Sequence, residues 1–148
     1  MYRCSACGAF NRVPHPPPSG TPTCGRCHGA LDVSGRPQEV NGEALARAVA
    51  SSPIPILLDL WAPWCGPCRA AAPVLEGMGQ AQAGRLLVLK LNTEENPETA
   101  SALGVRGIPT FVVYHQGREV ARRSGLMPRV EMERWVMEAQ GGSARMQL

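Results

Sequence analysis

Three pairs of cysteines share the spacing Cys-x-x-Cys, at positions 4 and 7, 24 and 27, and 65 and 68, and they account for all six cysteines of the chain. Two sulfurs at this spacing can bind one metal ion as thiolates, or can alternate between a dithiol and a disulfide. Because the spacing is the same in all three, the residues around each pair must distinguish metal binding from redox chemistry.

The first two pairs have the spacing of a zinc site. Sixteen residues separate Cys7 from Cys24, and four thiolates suit the tetrahedral coordination of zinc. This segment is too short to be held together by burial alone, because chains below about 40 residues usually need a metal, a disulfide or a partner. The sequence therefore predicts a zinc ribbon over residues 1–30, in a structural or redox-responsive role, with two disulfides or free thiols as the alternative. The predicted ligands are Cys4, Cys7, Cys24 and Cys27.

Glycines and histidines surround these four cysteines. Gly8, Gly25 and Gly29 permit the backbone conformations of tight turns. His15 and His28 lie close enough in sequence to replace a ligand, but four cysteines already complete the shell of a zinc ion. We therefore expect both histidines at the surface.

The third pair, CGPC at 65–68, has no further cysteine pair left to complete a metal site. It lies between the apolar run PIPILLDLW and a stretch of helix formers. Cysteines at the start of a helix gain thiolate character from the unpaired amides and the helix dipole. These surroundings predict a redox dithiol, in which one sulfur attacks a disulfide and the other resolves the mixed disulfide.

The elements around this pair alternate between helix and strand. Helices are predicted over GEALARAVAS, from near Cys68 onward, over PETASALG and over PRVEMERWVMEA, and buried strands over PIPILLDLW and RLLVLKLN. TFVVYHQGREVARRS is typical of a hairpin that turns at Gln116 and Gly117. This order predicts a three-layer α/β domain with a mixed sheet. We divide the chain into a ribbon (1–30), a linker with a possible first strand (31–40), the α/β domain (41–140) and a flexible tail (141–148).

Composition narrows the class of protein. A chain of 148 residues that is 44% hydrophobic can form one ordinary core, and its net charge of +3 is spread without a basic block. This argues against nucleic acid and anionic membranes as partners. No run reaches the roughly 20 apolar residues of a membrane span, and the N-terminus lacks the layout of a secretory signal. We therefore expect a cytoplasmic protein, in which thiols stay reduced.

Two ionisable residues stand out in the predicted strands. Asp59 is surrounded by Ile and Leu, where burial would raise its pKa and suit it to accept a proton; a solvent-facing strand end is the alternative. Lys90 is the single lysine of the chain and lies in RLLVLKLN. In a parallel sheet it could lie beside Asp59 and hold that carboxylate ionised, or it could be an ordinary surface lysine.

The motif WAPWCGPC, followed by GIPT and by a glycine before the last helix, resembles the thioredoxin family. Together with the four-cysteine ribbon, the chain resembles the zinc-containing second thioredoxin of bacteria. The resemblance implies a thioredoxin fold, exchange of dithiols with the disulfides of client proteins, reduction by an NADPH-dependent thioredoxin reductase, and no organic cofactor. By the same resemblance Cys65 is the attacking nucleophile, Cys68 is the resolving thiol, and Asp59 is the buried carboxylate that assists proton transfer.

The resemblance also implies a groove for the client chain beside the dithiol. Pro109 matches a cis-proline of the family, and a cis bond there would turn the backbone of Ile108 toward a client strand. Two tryptophans, Trp61 and Trp64, would pack beneath and beside the dithiol, and core or rim packing is the alternative for both. The residues expected to meet the client are Trp64, Gly66, Pro67, Gly107, Ile108, Pro109 and Gly125.

Three functions remain open on the sequence. The first is a protein-disulfide reductase with a potential near the roughly −270 mV of thioredoxin. The second is an oxidase or isomerase of the same fold, because the residues between the two cysteines tune the potential. The third is a zinc-ribbon binding module for which the thioredoxin domain serves only as a scaffold. Leu60 and Arg69 depart from residues common in the family, and neither alters the expected chemistry.

Overall fold

The structure is a computed structural model that describes residues 1–14 and 19–145, with side chains through residue 141. The strands are β1 (Tyr2–Arg3), β2 (Phe10–Asn11), β3 (Gln38–Glu39), β4 (Ile56–Trp61), β5 (Leu87–Asn92), β6 (Thr110–His115) and β7 (Arg118–Ser124). The helices are α1 (Gly42–Ser51), α2 (Gly66–Ala81), α3 (Pro97–Ala102) and α4 (Arg129–Arg145). Among the described residues, every helix is too short or too polar to cross a lipid bilayer.

The larger sheet has the strand order β3-β5-β4-β6-β7. Strands β3, β5 and β4 run parallel, whereas β6 and β7 are antiparallel to their neighbours. Apolar residues cover both faces of β4, because its Leu58 packs in one core with α1 and its Leu57 packs in another with α2 and α4. The mixed sheet between two layers of helices confirms the predicted α/β class and explains why β4 is a continuous apolar run.

The local signals that delimit the elements are visible in the backbone. The side chain of Asn41 caps α1 by accepting a hydrogen bond from the amide of Ala44 at 2.8 Å. Gln116 and Gly117 both have positive φ, at 54° and 81°, as a two-residue hairpin turn requires. The predicted hairpin is therefore confirmed, and its turn lies at the predicted residues.

The cysteine ribbon contacts the α/β domain directly. Arg3 donates a hydrogen bond to the side-chain oxygen of Gln38 at 2.6 Å, and the side-chain Nε2 of Gln38 donates back to the Arg3 carbonyl at 3.1 Å. The N-terminal amine donates to the carbonyl of Gly84 at 3.0 Å. These bonds fasten β1 to the edge strand β3 and to the loop after α2.

Residues 31–40, predicted as a linker, are packed rather than free. Leu31 is buried with Cys4 and Cys24, so the segment begins inside the ribbon. Gly35, at φ 82°, approaches Gly79 of α2 so closely that a Cβ on either residue would overlap the backbone of the other. The segment then enters the sheet as β3.

The C-terminal prediction differs from the structure in extent. A flexible tail is predicted from residue 141, whereas α4 continues to Arg145. The end of that predicted tail, residues 146–148, lies outside the described residues.

Candidate active site and candidate metal centre

The redox pair lies where β4 passes into α2. Cys65 and Cys68 form a disulfide with their Cα atoms 5.2 Å apart, and only 4% and 3% of the two residues are exposed. Cys65 is the N-cap of α2, and its Sγ accepts a hydrogen bond from the Cys68 amide at 3.2 Å. Helix α2 thus begins at Gly66, two residues before the predicted start near Cys68. An amide and the positive end of a helix dipole at Cys65 favour its thiolate form when the pair is reduced.

Ile108, one of the predicted groove residues, packs against this pair. The Ile108–Pro109 peptide bond is cis, as predicted, and the Ile108 carbonyl oxygen lies 3.8 Å from the Sγ of Cys65. Space is open at three glycines, where no described residue other than the chain neighbours has an atom within 4 Å of the place that a Cβ would take. These glycines are Gly66, Gly107 and Gly125. The surface is therefore free of side chains at these three positions.

The two tryptophans have different surroundings. Trp61 packs on the buried cluster of Ala62, Cys65 and Cys68. Trp64 is 65% exposed, and its indole N–H donates to the carboxylate of Glu94 at 2.5 Å. Glu94 therefore fixes an exposed aromatic ring at the rim of the redox site. Sequence reasoning missed it because thirty residues separate the partners and no local pattern links them.

Asp59 is fully buried in β4, and neither of its carboxylate oxygens has a hydrogen-bond partner among the described residues. Desolvation by burial raises its pKa to about 7, against an ordinary value of 3.8. The buried interpretation of Asp59 is thus confirmed over the solvent-facing one. A carboxyl with this pKa can both accept and release a proton near neutrality.

Lys90 is the register neighbour of Asp59 on β5. Its ammonium lies 4.6 Å from the ring centroid of Trp61, and the Asp59 oxygens have no hydrogen-bond partner among the described residues. The nearby Lys90 charge lowers the pKa of Asp59, but desolvation outweighs it. Lys90 therefore lies beside Asp59, as predicted, and its charge favours the ionised carboxylate, but the ammonium rests against an aromatic face and desolvation keeps the pKa of Asp59 raised.

The four ribbon cysteines converge on one point. Their sulfurs all lie within 4.8 Å of one another, with Cys4 and Cys27 at 3.7 Å and Cys7 and Cys24 at 3.6 Å. Four sulfurs at about 2.3 Å from a central zinc ion would lie about 3.8 Å apart, so the arrangement fits a tetrahedral ion. The cluster can hold a metal ion.

Backbone and side-chain donors point at the cluster. The amide of Arg26 and the side-chain amide of Asn11 donate to the Sγ of Cys24 at 3.4 and 3.5 Å. Hydrogen bonds from the Cys27 and Arg26 amides, in that order, lower the pKa of Cys24 to about 6. Donors of this kind stabilise thiolates, which are the form that binds a metal.

The two cysteine turns have the same backbone pattern with different residues. In each, the amide of the first cysteine donates to a carbonyl five residues later, and the amide four residues after it donates back to its carbonyl. The left-handed position of this turn is Gly8 in the first and His28 in the second, with φ of 82° and 64°. The expectation that Gly25 and Gly29 supply this conformation is therefore wrong. His28 is exposed, as predicted, and His15 lies outside the described residues.

Comparison with known proteins agrees with this geometry. The family model described as Thioredoxin matches residues 36–138, which is more than half of the chain. The chain belongs to the thioredoxin family. It is a thiol–disulfide oxidoreductase, as are the thioredoxins it resembles.

Individual thioredoxins match over different lengths. Thioredoxin C-3 of Corynebacterium nephridii is 40% identical over 133 residues, 90% of each chain. The thioredoxin of Synechocystis sp. is 43% identical over 100 residues, 68% of this chain and 92% of that protein. A solved mutant thioredoxin of Halobacterium salinarum superimposes with a TM-score of 0.66 at 32% identity, covering 73% of this chain and 94% of its own. A match of 133 residues is longer than the stretch from residue 31 to the C-terminus, so the likeness to Thioredoxin C-3 extends into the ribbon segment.

Proposed function

We propose that this thioredoxin is a protein-disulfide reductase that cycles Cys65 and Cys68 between dithiol and disulfide. The observation that supports it most is the position of Cys65, which caps α2 and has its Sγ 3.8 Å from the carbonyl oxygen of Ile108. A nucleophilic sulfur at that place is stabilised as a thiolate and reachable by the backbone of a client protein. The reductant that returns the pair to a dithiol is an NADPH-dependent thioredoxin reductase.

The reaction proceeds in two exchanges. The Cys65 thiolate attacks one sulfur of the client disulfide, a mixed disulfide forms, and the other client sulfur leaves as a thiolate. Cys68 then loses its proton to Asp59 and attacks the Sγ of Cys65, which releases the second client sulfur. Protons from Asp59 and from water complete the two client thiols. The client gains two electrons and two protons, and the Cys65–Cys68 pair loses them as it forms its disulfide.

The client chain binds as an extended segment along the groove. The Ile108 backbone lies beside the redox sulfur, so it can pair with a client strand by main-chain hydrogen bonds. Trp64, held by Glu94, gives an apolar surface at the other side. The residues proposed to contact the client are Trp64, Gly66, Pro67, Gly107, Ile108, Pro109 and Gly125.

The reduction potential distinguishes a reductase from an oxidase or isomerase of the same fold. We expect a value close to the roughly −270 mV of thioredoxin, well below the roughly −180 mV of protein disulfide isomerase. Equilibration of the pair with glutathione buffers, followed by thiol alkylation and mass measurement, gives this number. A potential near that of the isomerase would favour the second function.

The ribbon is proposed to hold zinc through Cys4, Cys7, Cys24 and Cys27. The metal would cross-link two turns that share only a small buried cluster, so its contribution is to the folding of residues 1–30. Because β1 and β3 are bonded through Arg3 and Gln38, a folded ribbon also supports the sheet edge. A ribbon that forms a unit ahead of the α/β domain, and location in the cytoplasm, where thiolate zinc sites persist, belong to the same proposal.

Removal of the metal tests the ribbon. Wild type is expected to carry a single zinc ion, and Cys24→Ser none, because a buried ligand is lost. Hydrogen exchange should show loss of protection in residues 1–14 and 19–30 of that variant, while insulin reduction keeps most of its rate. Cys68→Ser is the matched control and should retain the metal. Zinc retention by Cys24→Ser would contradict the ligand set, and loss of most insulin reduction would mean that the fold of the redox domain depends on the ribbon.

A further inference from the structure

Three charged side chains lie in register across neighbouring parallel strands of the sheet. Glu39 of β3 pairs with Lys90 of β5, and Lys90 pairs in turn with Asp59 of β4. Leu57 and Val88, two residues before Asp59 and Lys90, pack in the core against α2 and α4. Because alternate residues of a strand share a face, the three charged residues lie on the α2 side of the sheet, the side of the redox cysteines.

Lys90 stands between two carboxyl groups and forms a close ion pair with neither among the described residues. Its ammonium lies over the ring of Trp61, and Glu39 and Trp61 line the same cavity of about 650 Å³. In the row formed by Glu39, Lys90 and Asp59, the residue Asp59 is buried and Glu39 is exposed. The charge on Lys90 is therefore shared between a buried and an accessible carboxyl group.

We propose that Glu39 is a positioning residue whose carboxylate balances the Lys90 ammonium and thereby keeps Asp59 a reversible proton acceptor. The proposal rests on the role of Asp59 in the proposed function. With Glu39 ionised, Glu39 and Lys90 together are neutral, and a protonated Asp59 leaves the row neutral. Without the charge of Glu39, the row is neutral only when Asp59 is ionised, so Asp59 would give up its proton more readily and become a weaker base.

The electrostatic influences on Asp59 agree in sign with this picture. Burial raises the pKa of Asp59, the charge of Lys90 lowers it, and the charge of Glu39 raises it. Burial raises the pKa of Glu39, and the charge of the nearby Glu95 adds to that rise, whereas the charge of Lys90 opposes it and favours the ionised form that balances the ammonium. A buried carboxyl without hydrogen bonds is sensitive to such fields because little solvent screens them.

Other elements packed on this face bring few further charges. The register partner of Asp59 on β6 is Phe111, which is apolar. Beyond it on β7, Arg123 donates to Glu131 of α4 at 3.0 Å and is paired there. Among the buried residues of α2 only Cys68 can titrate, and it is held in the disulfide. In the oxidised protein, Lys90 and Glu39 are thus the charged groups that set the state of Asp59.

The chain offers a clean measurement, because Asp32 and Asp59 are its only aspartates. Aspartate labelled with carbon-13 at the carboxyl gives two resonances, whose pH titration in the oxidised protein reports each group without coupling to the thiols. Glu39→Gln removes the charge and keeps the shape. The matched control is Glu138→Gln, which removes the same charge from an exposed position of α4.

We expect Glu39→Gln to reduce the proton affinity of Asp59 about threefold, a downward movement of its pKa by about half a pH unit. Asp32 should not move, and Glu138→Gln should move neither resonance. Lys90→Met should move Asp59 in the opposite direction. An Asp59 titration unchanged by Glu39→Gln overturns the proposal, as does a movement in the same direction for Glu39→Gln and Lys90→Met, since that would indicate altered burial instead of altered charge.

Turnover measured on the same samples separates this proposal from the proposed function. If wild type reduces insulin through Cys65 but the titration of Asp59 is unchanged in Glu39→Gln, only the proposed role of Glu39 is rejected. If the titration of Asp59 moves in Glu39→Gln but wild type fails to reduce insulin, the reductase function is rejected. The electrostatic coupling of Glu39, Lys90 and Asp59 is then still supported. A shift of the pH profile of insulin reduction to lower pH in Glu39→Gln, with Glu138→Gln unchanged, supports both.

Discussion

Replacing Cys65 by Ser is expected to lower the rate of insulin reduction by roughly 100-fold or more, to the level of dithiothreitol alone. A serine hydroxyl is not ionised near neutral pH and cannot form the mixed disulfide. The buried position of Cys65 accommodates the smaller oxygen atom, so the fold should persist. The measurement is the rate of insulin reduction with dithiothreitol as the reductant, together with the far-ultraviolet circular dichroism of the variant.

A ribbon cysteine supplies the control for this prediction. Cys24→Ser removes a buried sulfur from the other cluster and should keep most of the insulin-reducing rate. Equal losses in Cys65→Ser and Cys24→Ser would mean that the assay reports folding and not chemistry. Retention of the wild-type rate by Cys65→Ser would contradict the mechanism outright.

The second large effect concerns stability. Asp59 has a pKa of about 7 in the folded protein and an ordinary value of 3.8 when unfolded. Between these values the folded state holds a proton that the unfolded state lacks, so the free energy of unfolding falls as pH rises, by about 1.4 kcal/mol per pH unit. The full loss across this window is about 4 kcal/mol, and it is complete above the folded pKa.

Asp59→Asn should remove this dependence. The variant is expected to be about as stable as wild type near pH 4 and more stable by up to about 4 kcal/mol near pH 8. Urea unfolding at several pH values measures the difference. Asp32→Asn is the matched control with the opposite sign, because hydrogen bonds from Ser34 lower the pKa of Asp32 and its charge stabilises the fold at neutral pH. If the free energy of unfolding changed with pH in the same way in wild type and in Asp59→Asn, a raised pKa at Asp59 would be contradicted.

Much of the fold was predictable because its signals are local. The hairpin turn needs positive φ at two adjacent residues, and Gln116 followed by Gly117 indicates it directly. The buried strand β4 is a continuous apolar run, and a lone Asp within it indicates a carboxyl that burial must perturb. The cis bond before Pro109 was predictable only from the family resemblance, since an X-Pro bond alone is cis in about 5% of cases.

The parts that escaped prediction depend on contacts between distant segments. The row of Glu39, Lys90 and Asp59 exists because β3 pairs with β5 in one register, and no pattern within β3 specifies that register. The hydrogen bond from Trp64 to Glu94 depends on the pairing of β4 with β5, which brings the ends of the two strands together. The place of the Lys90 ammonium over Trp61 likewise follows from packing and not from the identity of the residue.

The two cysteine turns show a further limit to what the sequence predicts about backbone conformation. Glycine adopts positive φ at the lowest energetic cost, so the sequence predicts that role for the glycines near Cys27. The structure gives it to His28, because the hydrogen-bond pattern fixes the left-handed position directly after the second cysteine of each turn. The position of Gly8 in the first turn, transferred to the second turn, predicts positive φ at His28. Amino-acid composition alone favours the neighbouring glycines instead.

The most direct test is to identify the sulfur that bonds to a client. Cys68→Ser lacks the resolving thiol and should accumulate a mixed disulfide when mixed with oxidised insulin, which peptide mass spectrometry can locate. A bond to insulin at Cys65, absent from the double variant Cys65→Ser with Cys68→Ser, is the predicted result. A bond at Cys4, Cys7, Cys24 or Cys27 with Cys65 unmodified would contradict the account.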